Sequence, residues 1–129
     1  KFKGTRLTLD VLQSDSRIRP GRVIIDHVEE HTVDMVLDAG FWAGITLYPE
    51  SKCTSARAID MIERAANEQL WINSACDWGV SDPLALPKTI MEMRRRGYSD
   101  ARIEKVVYDT PRRFLIQNPR FKTRSDLQG

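Results

Sequence analysis

Three short apolar runs constrain this chain more than anything else in it. Leu70-Trp71-Ile72 gives way to Asn73 and Ser74, then to Asp77, Gly79 and Pro83. An apolar run of that length, followed by small polar residues and chain breakers, reads as a buried strand that ends in a loop. Arg22-Val23-Ile24-Ile25-Asp26-His27 repeats the pattern, β-branched residues first and polar ones at the end. Phe41 to Pro49 is the third run, and it breaks into the polar loop Glu50 to Thr54. A buried strand that delivers a polar side chain at its C-terminal end and then hands over to a helix is how α/β proteins place reacting groups. The plainer reading, that Asp77 only caps or orders its loop, stays open at this point.

Helical patterns separate and follow these runs. Residues 3–13 read as a helix with Leu7, Val11 and Leu12 on one face, and a polar connection leads to the Pro20-Gly21 turn. A second helix starts at His31 or Thr32, with Val33, Val36 and Leu37 inward, and Gly40 closes it. A third spans 55–67 with Ala58, Ile59, Ile62 and Ala66 inward. A fourth runs from Pro83 or Leu84 to Arg96, ahead of Gly97. Ser99 caps the next, and Thr110-Pro111 starts a last short helix to about Gln117.

Strands alternating with helices predict right-handed crossovers and a parallel sheet. Three strands cannot close a barrel, and the chain opens on Lys1 and a helix. The expectation is therefore the C-terminal portion of a (β/α)8 TIM barrel of ~250 residues. Residues 1–121 would form part of that one domain and 122–129 a polar tail. Ile24, Ile45 and Ile72 are expected to be unusually exposed, because their barrel neighbours are missing and the sheet edges are open.

Composition excludes some classes. Hydrophobic residues make up 41% and charged ones 29%, an ordinary balance for a globular domain. A net charge of +2 is too small to argue for nucleic acid or an anionic membrane. Arg94-Arg95-Arg96 is the one compact basic run, and it sits at a helix end where cations complement the dipole. No apolar run approaches the ~20 residues of a membrane span, and no signal-peptide pattern opens the chain. Cys53 and Cys76 fit neither a disulfide framework nor a zinc-finger spacing. They read as free thiols, which points to a reducing, cytoplasmic setting.

In a barrel every strand end faces one mouth. Three ends are available: Asp26-His27 with Glu29 and Glu30 beyond, Tyr48 with Glu50 and Lys52, and Asp77 with Trp78. His27 and Asp77 lie on strands separated by one other, so a strand spacing of ~4.8 Å puts their backbones roughly 10 Å apart. Side chains converging on one or two metal ions can span that gap. Imidazole and carboxylate are the usual ligands of hydrolytic zinc and manganese. Tyr48, Lys52 and Trp78 are the candidate substrate contacts. Each residue has a plainer role beside this one. A strand-end His can bond a backbone carbonyl, Glu29 to His31 can be the polar first turn of a helix, Tyr48 and Trp78 can pack the rim, and Lys52 can be solvated. Asp82-Pro83 reads as a cap with a first-turn proline.

The stretch Ile24-Ile25-Asp26-His27 with Glu30 and Thr32, then Gly40-Phe41-Trp42-Ala43-Gly44 with Tyr48-Pro49, then Asn73-Ser74-Ala75 with Asp77-Trp78-Gly79 and Ser81-Asp82-Pro83-Leu84, resembles the C-terminal half of TatD-like metal-dependent hydrolases. These are amidohydrolase-type barrels, and Tyr108 to Pro119 resembles their closing helix. The resemblance implies that His27 is the metal-binding His of the sixth strand. It implies that Asp77 is the eighth-strand Asp, a metal ligand that also takes the proton from the attacking water. It further implies one or two divalent ions (zinc, manganese or magnesium), a small-molecule ester, amide or phosphoester substrate, and further ligands upstream of Lys1: a His-x-His, an acid and a His. On that reading the fragment alone is inactive. Cys76-Asp77-Trp78-Gly79 departs from the Thr-Asp-x-Pro type segment of better-known members, so a nuclease-type substrate is not implied. A barrel sugar-phosphate isomerase or epimerase is the alternative enzyme, although no glycine-rich phosphate loop supports it. A non-catalytic α/β binding module is the alternative without chemistry.

Overall fold

All three apolar runs form strands, and the strands are parallel. In the computed structural model, which describes residues 2–77 and 79–123, β1 (Ile24–Ile25), β2 (Trp42–Leu47) and β3 (Leu70–Ser74) make one sheet in the order β1-β2-β3. Ile24 pairs with Trp42, Ala43 with Leu70, and Thr46 with Asn73. The strand containing Ile45 thus lies between the other two, as the sequence reading expects. Helix α1 (Phe2–Ser14) precedes the sheet, α2 (Val33–Asp38) joins β1 to β2, and α3 (Ser55–Ala65) joins β2 to β3. α4 (Ala85–Arg95), α5 (Asp100–Glu104) and α6 (Thr110–Leu115) follow. The tail beyond Thr123 lies outside the described residues. Among the described residues no helix is long and apolar enough to cross a membrane.

Side chains alternate across a strand, so each strand feeds two faces. Ala43, Ile45, Leu47, Leu70 and Ile72 pack with Val33, Val36, Ile59 and Met61 of α2 and α3 in one buried core. Ile45 and Ile72 are therefore buried, contrary to the expectation that missing neighbours would expose them. They belong to the helix-covered face, which this chain fills from its own helices. Ile24, half-buried on the opposite face, fits the expectation better.

That opposite face carries Trp42, Gly44, Thr46, Trp71 and Asn73. At the N-terminal ends of the strands, Trp42 and Trp71 meet Phe114 of α6, with ring centroids 5.4–5.9 Å apart. The Trp42 indole donates to the Gly21 carbonyl at 2.8 Å, and Gln117 donates to the same oxygen at 3.0 Å. The closing helix is thus pinned under the sheet by aromatic contact and by a shared acceptor.

Two further expectations are corrected. On α1 the buried residue is Leu9, with Leu12 packed beside it, while Leu7 and Val11 point outward. The helical period alone cannot say which apolar stripe meets the core. At Pro111 no new helix begins. The chain stays helical from Asp100 to Leu115 through a π-turn at Lys105–Asp109, where the Thr110 amide bonds the Lys105 carbonyl. Proline lacks an N–H and crowds the carbonyl four residues back, and one wide turn accommodates both without a break. The helix ends otherwise obey local chemistry. Thr54 and Ser99 cap α3 and α5 through their side chains, and Gly40 and Gly97 take positive φ after α2 and α4. The arginine run is spent on ion pairs: Arg94 with Asp100, Arg95 with Glu92, and Arg96 with Asp60, Glu63 and Glu92.

Candidate functional site

The parallel sheet brings the polar ends of the three runs to one rim. His27 follows β1, Tyr48 follows β2, and Asp77 lies three residues past β3. The Tyr48 hydroxyl donates to Asp77 Oδ1 at 2.7 Å, and the Tyr48 ring lies 6.1 Å from the His27 imidazole. The middle strand therefore supplies the group that links the two outer ones. The hydroxyl of Tyr48 holds the Asp77 carboxyl below the usual carboxylate range, helped by the residue's own backbone N–H and by the nearby His27. The same bond raises the Tyr48 phenol, and burial and the Asp77 charge add to it. Asp77 is thus kept ionised and Tyr48 protonated.

Tyr48 is placed by a tight loop. Its amide bonds the Cys53 carbonyl, and its own carbonyl accepts from Ser51, Lys52 and Cys53. This turn folds Lys52 back, so that its ammonium sits 5.7 Å from the Tyr48 ring centroid and 3.8 Å from Glu29. Lys52 is largely buried rather than solvated, and Glu29 also lies 3.9 Å from His31. Glu30 turns away from the rim. Arg57 of α3 grips its carboxylate at 2.8 and 2.7 Å and also donates to the Lys52 carbonyl, tying the loops after β1 and β2 together. That fork holds the Glu30 carboxyl down at about 2. Cys53 is a buried free thiol pushed up by burial, and Cys76 is free and exposed. Trp78 lies outside the described residues.

His27 has an unusual backbone. Its φ is 58°, a left-handed conformation that costs an ordinary residue ~1–2 kcal/mol. Two hydrogen bonds hold it there. The His27 amide donates to Asp26 Oδ1 at 2.9 Å, and the Val28 amide donates to the Gly44 carbonyl at 3.0 Å. Asp26 Oδ1 also accepts from Thr46 Oγ1 at 3.1 Å and Asn73 Nδ2 at 3.0 Å. One carboxylate oxygen thus joins all three strands immediately below the rim. Sequence reasoning named Asp26 as part of a strand end but missed this hub. The available signal was Gly44, a glycine inside an apolar strand, which marks a close approach by another group. A methyl on residue 44 would overlap the Asp26 carboxylate.

Imidazole and carboxylate are donor types that suit zinc or manganese. His27, against the Tyr48 ring, and Asp77, bonded to its hydroxyl, are two donors of these types. Among the described residues no three His, Cys, Asp or Glu gather into a group that could hold an ion. A groove of about 530 Å³ between the start of α3 and α4, lined by Thr54, Ser55, Lys88, Met91 and Arg95 among others, includes none of His27, Tyr48 or Asp77.

The chain is similar to an uncharacterized metal-dependent hydrolase of Methanocaldococcus jannaschii, with 30% identity over 98 residues. The match takes in 76% of this chain and spans 38% of the relative's length. No family model and no solved structure matches the chain.

Proposed function

We propose that this chain is the C-terminal share of a TatD-like, (β/α)8 metal-dependent hydrolase that cleaves an ester, amide or phosphoester bond in a small molecule. The observation that carries the reading is the meeting of His27, Tyr48 and Asp77 at one end of three parallel strands. The similarity to a relative named as a metal-dependent hydrolase supports it. His27 and Asp77 would hold one or two divalent ions (zinc, manganese or magnesium), together with donors from strands that complete the barrel. A divalent ion bound there would activate a water and polarise the bond under attack. Asp77, kept ionised by Tyr48, accepts the proton from the attacking water at its second oxygen. Tyr48 spends its hydroxyl on that carboxylate and is itself buried, so its part is to hold Asp77 in place. Lys52, beside the Tyr48 ring, offers a positive charge to a developing oxyanion, and Trp78 stays the further candidate substrate contact by its place in the sequence. Two donors make no complete centre, so the fragment by itself would not turn over.

The test compares Asp77→Asn and His27→Ala in the whole protein, reading bound metal and turnover on ester, amide and phosphoester panels. Asp77→Asn is expected to lower turnover by ~10²–10⁴-fold through loss of the base, and added metal should not restore it. His27→Ala should act through metal occupancy and respond to excess metal. Near-wild-type turnover in Asp77→Asn would sink the assignment, because a residue that merely caps a loop tolerates Asn.

A further inference from the structure

We propose that Asp26 is a positioning residue for His27, and that Gly44 is a glycine because this arrangement leaves no room for a side chain. The inference deepens the hydrolase reading: what His27 is positioned for rests on that reading, but the positioning itself does not. Oδ1 of Asp26 takes three donors at 2.9–3.1 Å: its neighbour's amide, the Thr46 hydroxyl and the Asn73 amide. Three convergent donors leave this oxygen little freedom, and a charged acceptor makes each bond stronger than a neutral one would. Thr46 is buried and pairs with Asn73 across the β2–β3 ladder, so two of the donors are held by the sheet. The third donor is the amide of His27, whose left-handed φ has no glycine to favour it. The Val28 amide is anchored on the Gly44 carbonyl, so the backbone is fastened on both sides of the His27 Cα. This clamp sets the direction in which the imidazole leaves the rim. A Cβ on residue 44 would strike the Asp26 carboxylate first, with the Ile24 side chain next.

The test reads hydrogen exchange of the His27 backbone amide and the ¹⁵N–¹H spectrum of its ring in the whole protein that carries the remaining donors, before metal is added. Asp26→Ala is expected to speed that exchange at least ~10-fold, the size of a lost charge-assisted hydrogen bond, and to move the ring resonances. Asp26→Asn, which keeps an acceptor oxygen but loses the charge, should fall between the wild type and Asp26→Ala. Gly44→Ala should reproduce Asp26→Ala and add little in the Asp26→Ala background, because the group it displaces is already gone. Zinc titrated alone into the same proteins should bind ~10-fold more weakly in Asp26→Ala than in the wild type, the usual scale for loss of a residue that orients a ligand. A folded Asp26→Ala with unchanged His27 amide and ring signals overturns the proposal, and so does a Gly44→Ala that leaves them unmoved. If the wild type takes up no zinc, the hydrolase reading is what fails, and the exchange data still uphold or overturn the role of Asp26.

Discussion

The two faces of the sheet are built from the same three strands and follow opposite rules. The helix-covered face is apolar from end to end: Ala43, Ile45 and Leu47 on β2, Leu70 and Ile72 on β3, all closed over by α2 and α3. The other face changes character along its length. It begins with Trp42, Trp71 and Phe114 and ends with Asp26, Thr46 and Asn73 joined by hydrogen bonds. Where a face has only to exclude water, packing decides every residue. Where a face must carry polar groups to a rim, each of them needs a partner, and a glycine has to make room. The difference teaches where this chain's stability and its chemistry separate. The helix side is apolar packing alone, and the positioned polar groups come from the other.

The comparison breaks most visibly at Ile45. Cutting this fully buried side chain to Ala should lower stability by ~2–5 kcal/mol, read as a drop in the urea midpoint. A much smaller loss would mean that the helix side is not where the stability resides. Trp42→Phe sharpens the contrast on the other face. It keeps an aromatic ring against Trp71 and Phe114 but removes the indole donor to Gly21. Gln117 still satisfies that carbonyl, so the expected loss is only ~1 kcal/mol. The smallest effect belongs to the ion pair that ties the loops after β1 and β2 together. Glu30, held at about 2 by Arg57 against an ordinary 4.5, contributes stability that is present above pH 4.5 and lost as the pH falls toward 2. The two side chains are 37% and 44% exposed, so solvent screening leaves the pair below ~1 kcal/mol. Glu30→Gln should remove that part of the acid slope in urea titrations between pH 5 and pH 2, and an unchanged slope would discard the role of the pair.

The strand-helix alternation was legible because it is written in local patterns: apolar runs of strand length, polar run ends, Thr54 and Ser99 as caps, Gly40 and Gly97 as stops. The same patterns led to the three rim residues His27, Tyr48 and Asp77, since a parallel sheet sends every C-terminal strand end the same way. They did not reveal which stripe of α1 meets the core, because Leu7, Leu9, Val11 and Leu12 satisfy more than one helical face until a neighbour chooses. Nor did they show that Pro111 would be absorbed by a wide turn inside a continuing helix, which depends on how the segment packs against β3.

By itself the sequence determined the element order, the apolar identity of the sheet and the kinds of polar group at its ends, because these depend on neighbours a few residues away. Tertiary structure alone decided the partnerships. Tyr48 meets Asp77 across 29 positions, and Asp26 meets Asn73 across 47. Arg57 reaches back to Glu30, and Gly44 yields its space to a carboxylate from another strand. A hydrogen bond is directional and lost within a fraction of an ångström, so its partners are set by the register of the strands and the loops that follow them. Periodicity along the chain carries no record of that register.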